Sequence, residues 1–98
     1  MGNLCQKTYH VPIYISNLNN FSKQIKMDVF VLDEKVQSKI FSENSIMDSM
    51  NILPGVNKLC FYYKEGENYI YFQEIFGPFS ENEIINLNKI NSENTLTL

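Results

Sequence analysis

The sequence predicts an α+β domain, and three observations carry that reading. Two stretches near the start alternate apolar and polar residues, the two-residue period of a strand. A Gly-containing turn joins two further alternating runs into a hairpin. Two segments place apolar residues at helical spacing behind a capping residue. The predicted order is β-β-(β)-α-β-β-α, a mainly antiparallel sheet of four to five strands with two helices.

At 98 residues the chain has room for one core. Hydrophobic residues at 44% and aromatics at 13% suffice for a packed globule. The predicted organisation is a flexible N-terminus over 1–8, a single α+β domain over 9–91, and a C-terminal tail or short strand over 92–98.

Over 9–16, Val11, Ile13 and Ile15 share one face, with His10, Pro12, Tyr14 and Ser16 on the other. Pro12 cannot donate to a ladder, which predicts an edge strand. Over 26–33, Met27, Val29 and Val31 alternate with Lys26, Asp28, Phe30 and Leu32. These two strands read as an antiparallel pair across a polar loop. The stretch 36–41 fits a short strand or a helix lead-in. Over 45–53, Ser45 with Asp48 resembles a capping box, and Ile46, Met47, Met50 and Leu53 form an apolar stripe that Pro54-Gly55 ends. Runs 58–64 and 68–76 form the hairpin, with Gly66 supplying a positive φ. Ser80 and Glu83 form a capping box that opens the last helix, and Phe79 and Ile84 form its hydrophobic staple. Ile84, Ile85, Leu87 and Ile90 are its buried side.

The chain carries 8 Lys, no Arg and 11 acidic residues, a net charge of −3. Without Arg it lacks the bidentate fork that grips phosphate and guanine, which argues against nucleic-acid partners. The charge is uneven: residues 1–41 sum to +2 and residues 42–98 to −5. An acidic C-terminal half can steer a basic partner. No apolar run is long enough to span a bilayer as a helix. With two cysteines, Cys5 and Cys60, and no secretory signal, the expected setting is cytoplasmic. Gly2 and Cys5 together resemble a dual-acylation site, although Gln6 stands where Ser or Thr belongs. Acylation there would make the protein peripheral to a membrane.

Catalytic and cofactor patterns are not found. His10 is the sole His, and nothing in the spacing sets it beside a cysteine nucleophile. A zinc site needs about four N or S ligands, more than its His and Cys side chains together supply. The pairs Asp33-Glu34, Glu65/Glu67 and Glu81/Glu83 have structural explanations at a strand end, a turn and a helix start. The four glycines form no phosphate loop. No metal or cofactor is expected.

Aromatic density is the positive signal. Eight of the thirteen rings fall within 61–79: Phe61, Tyr62, Tyr63, Tyr69, Tyr71, Phe72, Phe76 and Phe79. Both faces of the hairpin carry rings, more than one covered sheet face requires. Either the second face carries cross-strand Tyr pairs, or a partner covers it.

The segment Phe61-Tyr62-Tyr63, followed by Gly77-Pro78-Phe79-Ser80-Glu81-Asn82-Glu83-Ile84 and Leu87, resembles a GYF-like domain over residues 61–96. That resemblance implies a Gly-Pro-Phe turn opening a helix, and an adaptor that binds proline-rich peptides. Phe61, Tyr63, Phe79 and Leu87 would match its groove.

These readings converge on a non-enzymatic protein–protein interaction module, a small adaptor or inhibitor that self-associates as a homo-oligomer. Its expected partner-binding residues are Phe61, Tyr62, Tyr63, Tyr69, Tyr71, Phe79 and Leu87. One alternative is a small-molecule or nucleotide-binding protein, with a site between subunits and ligand stacked on Tyr62, Tyr69 or Tyr71. Another is a eukaryotic protein acylated at Gly2 and Cys5.

Overall fold

The structure, a computed structural model, describes residues 10–20 and 23–88. It corrects the predicted α+β class. The described residues form seven strands and one 3-10 turn, Leu18–Asn20, with no α-helix among them. The strands are β1 (Val11–Ser16), β2 (Ile25–Val31), β3 (Glu34–Phe41), β4 (Met47–Ile52), β5 (Lys58–Glu65), β6 (Asn68–Phe76) and β7 (Glu83–Asn86). They make two sheets, ordered β4-β1-β7 and β3-β2-β5-β6. All pairings are antiparallel except β1 with β7, which is parallel.

The sheets share one core. Ile13, Ile15, Ile52 and Ile85 of the first sheet join Ile25, Met27, Val29, Phe41, Leu59 and Phe61 of the second. Each such side chain contributes about 1.5–3 kcal/mol by leaving water.

Both predicted helices are strands, for different reasons. In 45–53 the apolar residues fit either period over so short a window. As β4, Met50 and Ile52 turn inward while Met47, Ser49 and Asn51 turn out. Pairing with β1 decides the matter, from Val11 opposite Ile52 to Ser16 opposite Met47. A helix there would strip β1 of its partners on that side. Pro54-Gly55 does end the element, as a tight turn: Val56 N–H reaches the Leu53 carbonyl at 3.4 Å, and Gly55 takes φ +88°.

At the second helix the capping pair forms without a helix. Glu83 Oε1 accepts from the Ser80 N–H at 2.8 Å. The Glu83 N–H donates to the Ser80 carbonyl at 3.1 Å, and Asn82 takes φ 65°. This closes a four-residue turn with Asn at the position that demands positive φ. The chain then leaves as β7, so the burial period is two. Ile85 and Leu87 are buried, but Ile84 is 56% exposed.

Two strand assignments also change. β1 and β2 lie in different sheets, so they do not pair. Pro12 lies on the central strand of its sheet, not at an edge. Its carbonyl accepts from the Asn82 N–H on the β7 side, which is where its missing N–H would also point. The β7 ladder begins only at Ile13 opposite Glu83, so no bond is lost.

The 58–64/68–76 hairpin is present as β5 and β6. Its turn is tighter than the sequence suggested: Glu65 pairs with Asn68, and Gly66 sits between them at φ +64°.

Bulges at both edges of the larger sheet help tie the sandwich together. Val36 on β3 and Phe72 on β6 are the extra residues. Each bulge lets two successive residues turn toward the core side. Val36 and Phe72 pack against the core, while Gln37 and Gln73 reach the opposite sheet's side of the sandwich. Gln37 donates to the Asn51 carbonyl at 3.0 Å and accepts from the Leu53 N–H at 3.0 Å. Gln73 accepts from the Asn88 N–H at 2.9 Å. Backbone groups beside the smaller sheet's edges are thereby satisfied by side chains.

Candidate functional site: the outer face of the four-stranded sheet

Strand alternation and register build this face row by row. Phe30 faces out between Lys35 and Lys58, with Phe76 beyond on β6. The next row is Ser38, Asp28, Cys60 and Glu74. The third is Ile40, Lys26, Tyr62 and Tyr71, and Lys64 opposite Tyr69 completes the surface.

The rings and lysines interlock. Tyr62 and Tyr71 meet edge to face, with centroids 6.0 Å apart. Lys26 Nζ lies 5.3 Å from the Tyr62 ring and 5.1 Å from Tyr69, and Lys58 Nζ lies 4.7 Å from Phe30. Tyr69 donates its hydroxyl to Gln24 Oε1 at 3.2 Å. Phe76, Ile40 and Tyr71 are 66%, 52% and 51% exposed. They are the apolar surface that this face shows to solvent.

Asp28 lies under this layer, 5% exposed. Ser38 donates to it at 2.7 Å, with Lys26 at 3.8 Å and Lys35 at 3.9 Å. Cys60 is also 5% exposed, with its sulfur 4.0 Å from Glu74 Oε1. Burial pushes the Cys60 thiol upward. The Tyr62 phenol rises through burial and then through the Asp28 charge. Tyr71 rises through burial and then through its hydrogen bond to Glu74.

These shifts share a sign. The folded chain holds all three protons more tightly than the unfolded chain. Once pH rises past 9.0 for the thiol and 10.0 for the phenols, the unfolded state binds fewer protons. Stability present below those values is then lost. Denaturant midpoints are expected to hold to about pH 8 and to fall between about pH 9 and 11. A flat profile across that range would contradict the packing described for this face.

The predicted partner-binding residues divide. Tyr62, Tyr69 and Tyr71 come together on the outer face. Phe61 and Leu87 are 0% and 2% exposed and belong to the core. Tyr63 is half-buried on the core side, its ring 5.9 Å from Phe72. Phe79 lies away from the face, at one end of the sandwich, and the Gly-Pro-Phe segment leads into a turn and strand instead of a helix. Gly2, Cys5 and the 92–98 tail lie outside the described residues. Sequence reasoning missed the contributions of Lys35, Ile40, Lys58 and Phe76. The outward phase of β2 was legible, but its position beside β5 was not. The Phe72 bulge shifts the alternation, so Ile75 turns toward the core and Phe76 away from it.

The sandwich end carries a cleft of about 290 Å³ lined by Val11, Ile52, Leu53, Val56, Pro78 and Phe79, with Asn57 at its rim. Asn57 is already engaged: Oδ1 accepts from the Leu32 N–H at 2.9 Å and its carbonyl from the Gly77 N–H at 2.9 Å. Among the described residues, no ionisable side chain lines this cleft. Tyr62, Tyr69 and Tyr71 are not among its walls. Among the described residues, no group of three or more His, Cys, Asp or Glu side chains is placed to hold a metal ion.

Comparison with protein-family models, with curated proteins and with solved structures returned no match in any of the three.

Proposed function

We propose that the chain is a non-enzymatic protein–protein interaction module whose docking surface is the outer face of the four-stranded sheet. The observation that supports this is the contiguous row Ile40, Lys26, Tyr62 and Tyr71, with Tyr69 beside it and Phe76 two rows away beyond Glu74. A face that needs no second layer still presents large, ordered rings to solvent. Tyr and Phe are favoured at interface centres because they bury much area at little rotamer cost. Four strands of about eight residues give a face of about 500 Å² in projection, approaching the ~800 Å² per partner of a standard interface. The test is a Tyr71→Glu, Phe76→Glu double variant. It is expected to lose a cross-linked or co-purifying partner while still folding, with an unfolding midpoint only slightly below wild type. Retained capture with both rings removed would count against this face.

A second observation favours self-association through the other sheet. The outward residues there are Pro12, Tyr14, Ser16, Met47, Ser49, Asn51, Ile84 and Asn86, none of them charged. Ser16 donates to Asn86 Oδ1 across β1 and β7. Two-fold pairing sets a patch against itself, so a charge-free patch meets its copy without repulsion. Its projected area is only about 300 Å², which suits a weak, reversible dimer. Light scattering should show mass rising with concentration, and Ile84→Lys should abolish the rise. A strict monomer at about 1 mM would end this reading.

A further inference from the structure

The geometry points to an acidic polypeptide segment, with apolar side chains between its carboxylates, as the occupant of the aromatic face; this rests on the docking role proposed above. Charge placement carries the inference. The described residues include six lysines and ten carboxylates. Four of those lysines, Lys26, Lys35, Lys58 and Lys64, lie on the outward side of the four-stranded sheet. Only Asp28 and Glu74 of the acids share it, and Asp28 is buried beneath Lys26, Lys35 and Ser38. A chain of net charge −3 therefore presents a basic surface at its ring cluster. An acidic partner is steered to this face and repelled elsewhere.

The cations are also held in position. Lys26 lies across two tyrosine rings and Lys58 across Phe30. Their ammonium groups are presented at the height of the rings, so less side-chain freedom is lost on binding. In the Phe30 row cations and rings alternate across neighbouring strands, Lys35, Phe30, Lys58 and Phe76, at about 5 Å, and in the tyrosine row Lys26 stands beside Tyr62. An extended segment whose carboxylate and apolar side chains alternate at every second residue, all on one of its faces, meets both. The same face of a second copy does not fit, because it would set lysine against lysine. Nucleic acid is less suited: the chain has no Arg fork for phosphate, and Glu74 stands within the surface.

Fluorescence anisotropy with four labelled probes tests this. They are a short peptide carrying Glu and Phe or Leu in turn at every second position with Ser between, its counterparts with Lys or Ser in place of Glu, and an oligo-dT of equal length. The acidic peptide should bind at least about tenfold tighter than the other three. Its affinity should fall several-fold between about 0.05 and 0.3 M salt. A Lys58→Glu, Lys64→Glu double variant should weaken it by about tenfold or more while still unfolding cooperatively from a native strand signal, the loss of the Lys58–Phe30 contact lowering the midpoint only slightly. The inference is overturned if the Lys or Ser peptide binds as well, if oligo-dT binds tighter, or if the acidic peptide fails to bind at about 1 mM. Should the lysine variant bind the acidic peptide like wild type while Tyr71→Ala does not, the acidic assignment falls and the docking face stands. Should neither change affect binding, both fall.

Discussion

Phe61→Ala is expected to lower stability by about 3–5 kcal/mol, while Tyr71→Ala costs under about 1 kcal/mol. The two rings belong to one hairpin and look alike in sequence. Phe61 is 0% exposed and packs within the core beside Phe72, with ring centroids 6.5 Å apart. Truncating it removes the transfer energy of a benzyl group and leaves a cavity that a close-packed sandwich fills only in part. Tyr71 is 51% exposed and edges Tyr62 across the outer face, so its loss removes a surface ring pair. A small domain has about 5–15 kcal/mol in total, so the first change approaches global unfolding and the second does not. Urea denaturation of both variants measures the difference. Equal midpoints would contradict the assignment of the two hairpin faces.

Ile85→Lys is expected to abolish folding, while the same change at Ile84 leaves the fold intact. The two residues are sequence neighbours, and a helix would have buried both. In β7, Ile85 is 4% exposed and belongs to the core cluster, whereas Ile84 is 56% exposed. A lysine at position 85 would set an unpaired ammonium among Ile13, Ile15 and Ile52, a cost of several kcal/mol. At position 84 its charge stays in water. Circular dichroism and thermal unfolding distinguish the outcomes. Two equally unfolded variants would point back to a helix. The folded Ile84→Lys protein also serves the dimer test directly.

Much of the local structure was legible. Alternation at Ile13 and Ile15, at Met27 and Val29, and along β5 gave strands with the correct inward face, because a two-residue period leaves little freedom once one side is apolar. Turn chemistry was legible too. Pro54-Gly55, Gly66 and Ser80 to Glu83 each mark a real reversal of the chain. The error lay in reading Ser45 with Asp48, and Ser80 with Glu83, as the starts of helices. A capping box satisfies the same backbone groups in an isolated turn as in a helix start, so it does not specify the conformation of the residues after it. Of the apolar residues over 46–53, Ile46, Met47, Met50 and Leu53 fit the helical period while Ile46, Met50 and Ile52 fit the strand's, and the unpaired side of β1 settled the choice.

The candidate site was legible only in part. Ring density near the hairpin drew attention to Tyr62, Tyr69 and Tyr71, and their shared face results from pairing within that hairpin. The charge of the face was not legible. The hairpin lies in the half of the sequence that sums to −5, which suggested a basic partner. Lys26 and Lys35 arrive from the other half, because β2 pairs with β5 and β3 with β2. Net charge along a chain says little about charge on a surface that four strands assemble.

The sequence by itself determined which residues could be strands, where the chain had to turn, and that rings were in surplus near residues 61–79. Those properties rest on local sterics, side-chain alternation and composition. Only the tertiary structure decided that both predicted helices are strands, that Pro12 sits mid-sheet, and that Lys26 of β2 lies against the tyrosine rings of β5 and β6. Each of these depends on which backbone hydrogen bonds a distant segment leaves to be satisfied, a quantity that no local window contains.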